Sequence, residues 1–231
     1  MKTLGIIGGM SWESTTLYYQ LLNQGMRQRK GGLSSLELIL YSFDFARIEA
    51  LQASGDWHQA TTEMIKAGKA LASSGVDGLM IATNTMHKMA DEVQQATNLP
   101  LYHIADATAQ AILQAKVKAP LLLATNFTMT QDFYKGRLKD NHNITVVTPD
   151  QTDRTIIHDV IYHELCQGVI SQSSKQSYLD IITKMYEKGM IDSVIFGCTE
   201  IGLLLQAHDV SIPAFDTTAI HCDYVLDQMH F

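Results

Sequence analysis

Short apolar runs alternate along the chain with longer segments in which apolar residues return every three or four positions. The short runs predict strands at residues 3–7, 36–42, 78–82, 101–104, 120–124, 144–147 and 193–197, with a weaker one near Ala214 and Phe215. The longer segments predict helices over residues 14–29, 57–73, 86–96, 107–115, 130–139, 152–166, 175–188 and 217–229. Gly31, Gly75 and Gly189 follow three of these, where a glycine readily takes the left-handed turn that ends a helix. Strands and helices in alternation predict an α/β fold with parallel sheets flanked by helices.

The pattern also repeats. GVDGLMIATNT (75–85) parallels MIDSVIFGCTE (190–200): an acid, Asp77 or Asp192, a strand, and then Thr83 or Cys198 six residues on. Downstream, Asp-Ala-Thr-Ala (106–109) matches Asp-Thr-Thr-Ala (216–219), and upstream TLGIIGGMS matches PLLLATNFT. With Gly9 paired to Thr125, the intervals to Thr83 and Cys198 are 74 and 73 residues. Three landmarks in one order predict two pseudo-symmetric α/β domains, residues 1–105 plus 216–231 and residues 106–215. Parallel α/β sheets bind ligands beyond the carboxyl ends of their strands. The expectation is therefore an active site in the cleft between the domains, approached by Thr83 and Cys198 from opposite sides.

Two groups on opposite faces of one carbon suit inversion at a stereocentre, one removing a proton and the other delivering one. A cysteine tuned to thiolate by helix N-termini or nearby donors serves as a base. Backbone N–H groups at Asn84, Thr85, Thr199 and Glu200, where the next helix or turn opens, suit a carboxylate and an enolate-like transition state.

GGMSWEST near the N-terminus, TNTMHK at 83–88 and GCTEIGLLL at 197–205 resemble the aspartate/glutamate racemase family of cofactor-independent amino-acid racemases. The likeness runs the length of the chain. It implies two α/β domains, a two-base mechanism without pyridoxal phosphate, a small-molecule amino acid as substrate and a homodimer. By position it makes Cys198 one catalytic acid/base and puts Thr83 in the place of the other. It sets Met10, Asn84, Thr85 and Thr199 where relatives hold substrate, with Ser11, Thr125 and Thr128 nearby. Arg47 is a candidate partner for a carboxylate, and Gln52 falls in IEALQASGDW, a segment the subgroup also uses near the ligand.

Two departures qualify the likeness. Many relatives carry Cys where this chain has Thr83, although some racemases of the subgroup it resembles carry Thr there too. A threonine hydroxyl forms no alkoxide near neutral pH and is a poor base. Slow or unequal catalysis is expected, with Cys198 taking the α-proton. Relatives often place Lys before the Gly of HELCQG (163–168), where this chain has Gln167, which opens the pocket to neutral or broader amino acids. Two alternatives stay open: isomerisation or decarboxylation of a small diacid using Cys198, and a catalytically silent amino-acid-binding homologue.

Composition narrows the field. The 231 residues are 46% hydrophobic and 18% charged, enough for a packed core, and the net charge of −7 without a Lys/Arg stripe argues against nucleic acid or an anionic membrane as partner. No apolar run is long enough for a membrane helix, the N-terminus does not fit a signal peptide, and three irregularly spaced cysteines fit neither disulfides nor zinc. A cytoplasmic protein with reduced thiols is expected. GIIGGMS lacks the dinucleotide fingerprint, no strand-end Lys suggests a Schiff base, and no His/Cys/Asp spacing suggests a metal, so neither cofactor nor metal is expected. Cys166 and Cys222 are read as core, His87, His103 and His221 as structural, and Asp106 and Asp216 as helix caps.

Overall fold

The computed structural model of the chain describes residues 2–231. In chain order its elements are β1 (Leu4–Gly8), α1 (Trp12–Lys30), β2 (Leu38–Ser42), α2 (Phe45–Ser54), α3 (Trp57–Ser73) and β3 (Gly78–Ile81). A 3-10 helix (Thr85–Met89), α4 (Ala90–Thr97), α5 (Ile104–Ala115), β4 (Pro120–Leu123), α6 (Asn126–Thr130) and α7 (Asp132–His142) follow. The chain continues through α8 (Gln151–His163), α9 (Gln172–Glu187), β5 (Ser193–Phe196), α10 (Ile201–Leu204), β6 (Ala214–Asp216) and α11 (Thr217–Gln228). It forms two units: one takes the chain through His103 together with His221–Phe231, the other is Ile104–Ile220.

In the first unit the strands lie in the order β2-β1-β3, all parallel. Alternation along β1 and β3 sorts their side chains onto two faces. Leu4, Ile6, Met80 and Ala82 meet Tyr18, Leu22 and Met26 of α1 and Cys222, Val225 and Leu226 of α11. On the other face Ile7, Leu79 and Ile81 meet Met64, Ala67 and Leu71 of α3 and Val93 of α4. Cover on both sides explains why β1 and β3 read as unbroken apolar runs rather than alternating ones.

The second unit repeats the plan with parallel strands in the order β4-β5-β6. Its single core joins Leu121, Leu123, Val194 and Phe196 to Tyr134, Ile161, Tyr178 and Ile182. Each fully buried Leu or Ile contributes about 1.5–3 kcal/mol.

The registers superimpose the halves. Leu4 pairs with Gly78 and Pro120 with Ser193, which makes Gly9 the counterpart of Thr125, as the sequence repeat pairs them. The repeated acids clamp the sheet from outside. Asp77 accepts the Thr3 N–H at 2.6 Å, and Asp192 accepts those of Lys118 at 2.6 Å and Ala119 at 3.0 Å. Each so satisfies a donor at the start of the neighbouring strand.

Several expectations are corrected. The expected strand at 101–104 is one bridge, Leu101 to Leu79, because α5 already begins at Ile104; that at 144–147 is likewise one bridge, Val147 to Leu121. These bridges also correct the third landmark. Leu79 opposes Leu101 while Val194 opposes Ala214, so the counterpart of Asp216 is His103, three residues before Asp106. Asp216 does cap α11, accepting the N–H groups of Thr218 and Ala219. Asp106 does not cap. Its carboxylate takes Arg137 Nε and Nη2 at 2.8 and 2.7 Å and His142 Nε2 at 2.9 Å. Burial opposes ionisation of Asp106, but these two partners hold its carboxyl below the usual range. Helix α2 was not expected at all, although Asp44 caps its start and Gly55 closes it in the left-handed conformation.

Candidate active site

The carboxyl ends of β1 and β3, hydrogen-bonded neighbours, carry most of the first unit's candidates. Gly9 turns the chain after β1 with φ of +79°, and an added Cβ would lie 2.4 Å from the Phe43 backbone, so only glycine fits. Met10 and Ser11 follow, both buried. Ser11 caps α1 by accepting the Ser14 N–H. Beyond β3, Thr83, Asn84 and Thr85 are buried as well. The 3-10 helix after them starts from Asn84 with no side-chain cap.

Helix α2 brings Gln52 to this group. Ile48 and Gln52, one turn apart, are its buried residues, and Gln52 Nε2 lies 3.1 Å from Met86 Sδ. Met86 in turn packs in one cluster with Met10 and Ile48. Arg47, on the same helix, is more than half exposed and forms an ion pair with Glu63 of α3.

The second unit gathers Thr125, Thr128, Cys198 and Thr199 in the same way beyond the adjacent strands β4 and β5. Thr125 caps α6, and its Oγ1 is 3.2 Å from that of Thr128. Gly197 admits the close approach of the two strands: a Cβ there would sit 2.5 Å from Leu122 Cδ1 and 3.1 Å from the Leu123 carbonyl. The next residue, Cys198, is 8% exposed.

The surroundings of Cys198 are the main chemical finding. Its Sγ donates to Glu200 Oε2 at 2.9 Å, and the same oxygen accepts Thr199 Oγ1 at 2.7 Å. Burial pushes the thiol well above its ordinary pKa, and the Glu200 carboxylate and Cys166 push it the same way. The structure runs against the expectation of a thiol tuned toward thiolate: burial and the neighbouring Glu200 carboxylate both favour the protonated form of Cys198. The Glu200 side chain was missed, although GCTE places a carboxylate two residues from the cysteine. Tyr178 belongs to the same neighbourhood, its phenol raised by burial and then by Cys198. Gln167 is exposed and donates to the Tyr162 carbonyl at 3.4 Å. Cys222 lies in the core as expected, whereas Cys166 is only half-buried, in a short 3-10 turn. Among the described residues no three His, Cys, Asp or Glu side chains are grouped to hold a metal ion, and no helix is long and apolar enough to cross a membrane.

The family described as Asp/Glu/Hydantoin racemase matches residues 7–225. Two crystal structures resemble the chain over the full length of both partners. One, a candidate Asp/Glu racemase from Yersinia pestis, is 49% identical with a TM-score of 0.91. The other, an aspartate racemase homologue from Pyrococcus horikoshii OT3, is 35% identical with a TM-score of 0.84. The broad specificity amino-acid racemase RacX of Bacillus subtilis (strain 168) is 23% identical over 94% of this chain and 93% of its own.

Proposed function

Given that the chain belongs to the Asp/Glu/hydantoin racemase family, we propose that it is an amino-acid racemase that works without a cofactor, Cys198 and Thr83 serving opposite faces of the α-carbon. The observation that carries this reading is the buried Cys198 thiol, bonded to the Glu200 carboxylate beyond a strand end. As a protonated thiol it is set to give a proton to the α-carbon. To take one, it first passes its own proton to Glu200, leaving thiolate and a neutral carboxyl. Thr83 then gives its hydroxyl proton to the other face while accepting one from water, the hydroxide so formed takes back the proton lodged on Glu200, and inversion in the opposite direction runs these same transfers backwards.

The N–H groups of Asn84, Thr85 and Thr199 bind the α-carboxylate and stabilise the charge that builds there. Met10, Ser11, Gln52, Thr125 and Thr128 line the substrate. Arg47, already paired with Glu63, contributes charge at the edge rather than a direct grip. Gln167 offers no cation to a side-chain carboxylate, which favours neutral as well as acidic amino acids.

The test is to incubate L- and D-amino acids with the enzyme in heavy water, following loss of the α-proton signal and of optical rotation. Exchange with inversion is expected for at least one amino acid, with faster exchange from one enantiomer because the two proton-transfer groups differ. No exchange from any amino acid, acidic or neutral, rules the reading out.

A further inference from the structure

Three buried histidines stand together in the first unit, and the reaction proposed above assigns none of them a role. His87, His103 and His221 are 3%, 4% and 0% exposed. The His87 ring lies 4.5 Å from that of His103 and 5.6 Å from that of His221, centroid to centroid. A metal cluster does not fit. His221 spends Nε2 on the Tyr102 carbonyl at 2.7 Å and Nδ1 on the Tyr18 hydroxyl at 3.2 Å, leaving neither nitrogen for an ion.

His87 is the member that reaches the candidate site. Its Nδ1 is 2.7 Å from the backbone carbonyl of Thr83, and since a carbonyl only accepts, Nδ1 donates. The backbone leaves this carbonyl to the ring. At the end of β3 the Ala82 N–H bonds the Ile7 carbonyl, and the backbone N–H of His87 goes to Asn84 rather than Thr83. A buried carbonyl without a backbone donor needs a side chain, and His87 supplies it.

The consequence follows from peptide planarity. In a trans peptide the C=O and the next N–H point in opposite directions, and Thr83–Asn84 is not a cis peptide. Holding the Thr83 carbonyl therefore fixes the direction of the Asn84 N–H. We propose that His87 is a positioning residue that aims the Asn84 N–H at the substrate carboxylate, with His103 and His221 packed against its ring to hold it there. The substrate part of this proposal rests on the racemase reading; the aim of the N–H does not.

Three variants test it. His87→Leu removes the donor and keeps bulk. His87→Gln carries its donor one bond too far out. His87→Asn puts an amide N–H near the place of Nδ1. With the amino acid that the unmodified enzyme turns over fastest, Leu and Gln should each lower kcat about 10- to 100-fold with little change in KM, and Asn should restore most of it. In 15N-labelled protein the Asn84 amide resonance should move in the Leu and Gln variants and return in Asn. If Leu does not fold, Gln reports the same loss. Unchanged kcat in Leu and Gln, a loss that Asn does not restore, or an unmoved Asn84 resonance overturns the proposal. A wild-type chain that racemises nothing ends the racemase reading instead, and the Asn84 resonance then decides the positioning by itself.

Discussion

The two units share a sheet plan down to its register, yet they hold their strand ends by opposite means. In the first unit the carbonyl of Thr83 rests on the imidazole of His87, which lies against His103. In the second the carbonyl of Cys198 takes the Ile201 N–H at 3.1 Å, and it is the thiol that is held, by Glu200. The register makes His103 the counterpart of Asp216, and the equal spacing from Thr83 and Cys198 makes His87 that of Gly202. Where one half packs two rings, the other has a glycine under a carboxylate: a Cβ on Gly202 would come within 3.0 Å of Asp216 Oδ2. Burial raises the pKa of that carboxyl despite the two N–H groups it accepts. The duplicated frame is kept by backbone pairing and acid clamps, while chemistry has diverged over a few positions beside each strand end.

The largest effect is expected at the mismatched pair itself. Cys198→Ala should lower racemisation by about 10²- to 10⁴-fold, the usual worth of a positioned acid or base. Thr83→Cys should make the halves chemically alike. Mirror-image amino acids have equal free energies, so kcat/KM must be the same in both directions, and the expected inequality falls on kcat and on exchange without inversion. Progress curves run from each enantiomer should become more alike in Thr83→Cys; curves that stay as unequal remove Thr83 as the cause.

A smaller effect should distinguish the charge at the thiol. Thiolate is the basic form, and the raised pKa keeps its share small at neutral pH, so the rate of α-proton removal by Cys198 should climb into the alkaline range. Glu200→Gln takes away both the internal acceptor of the thiol proton and a carboxylate that raises this pKa, so exchange at neutral pH should fall while the alkaline rise shifts to lower pH. A pH profile of exchange in heavy water reads the shift directly, and an unmoved or upward-shifted rise would mean that Glu200 does not govern the thiol.

The smallest effect compares the clamps. Asp192 holds two backbone N–H groups and the Ser193 hydroxyl, whereas the bond made by Asp77 is to one N–H. Urea unfolding should show Asp192→Ala destabilised by about 1–2 kcal/mol and Asp77→Ala by about half as much. The reverse order would show that the duplicated acids are not doing equivalent jobs.

Much of this frame was legible in the sequence because buried parallel strands leave unbroken apolar runs, and because Asp77 and Asp192 mark the same backbone donors in each half. The repeat was misread at Asp106, where a likeness of letters outweighed the register: sheet pairing is set by backbone contacts that Asp-Ala-Thr-Ala does not report. Helix α2 was hidden because its short amphipathic face buries only Ile48 and Gln52, too few to set up a visible period. Strand-end logic put Thr83 and Cys198 just beyond β3 and β5, where the structure has them. It could not find the ion pair that occupies Arg47, or a carboxylate that raises rather than lowers the thiol, because the direction of a side chain is a property of packing.

The last helix carries one more implication. Cys222, Val225, Leu226 and Met229 pack on Leu4, Ile6, Tyr18 and Leu22, near the opposite end of the chain. On the ribosome β1 and α1 are made well before α11, so until α11 is released α1 covers that face of the strand without its second partner. The unit that holds β1 is therefore sealed by a helix made only after the whole of β4 to β6, and a stop codon just before α11 would leave that face open to proteolysis and aggregation.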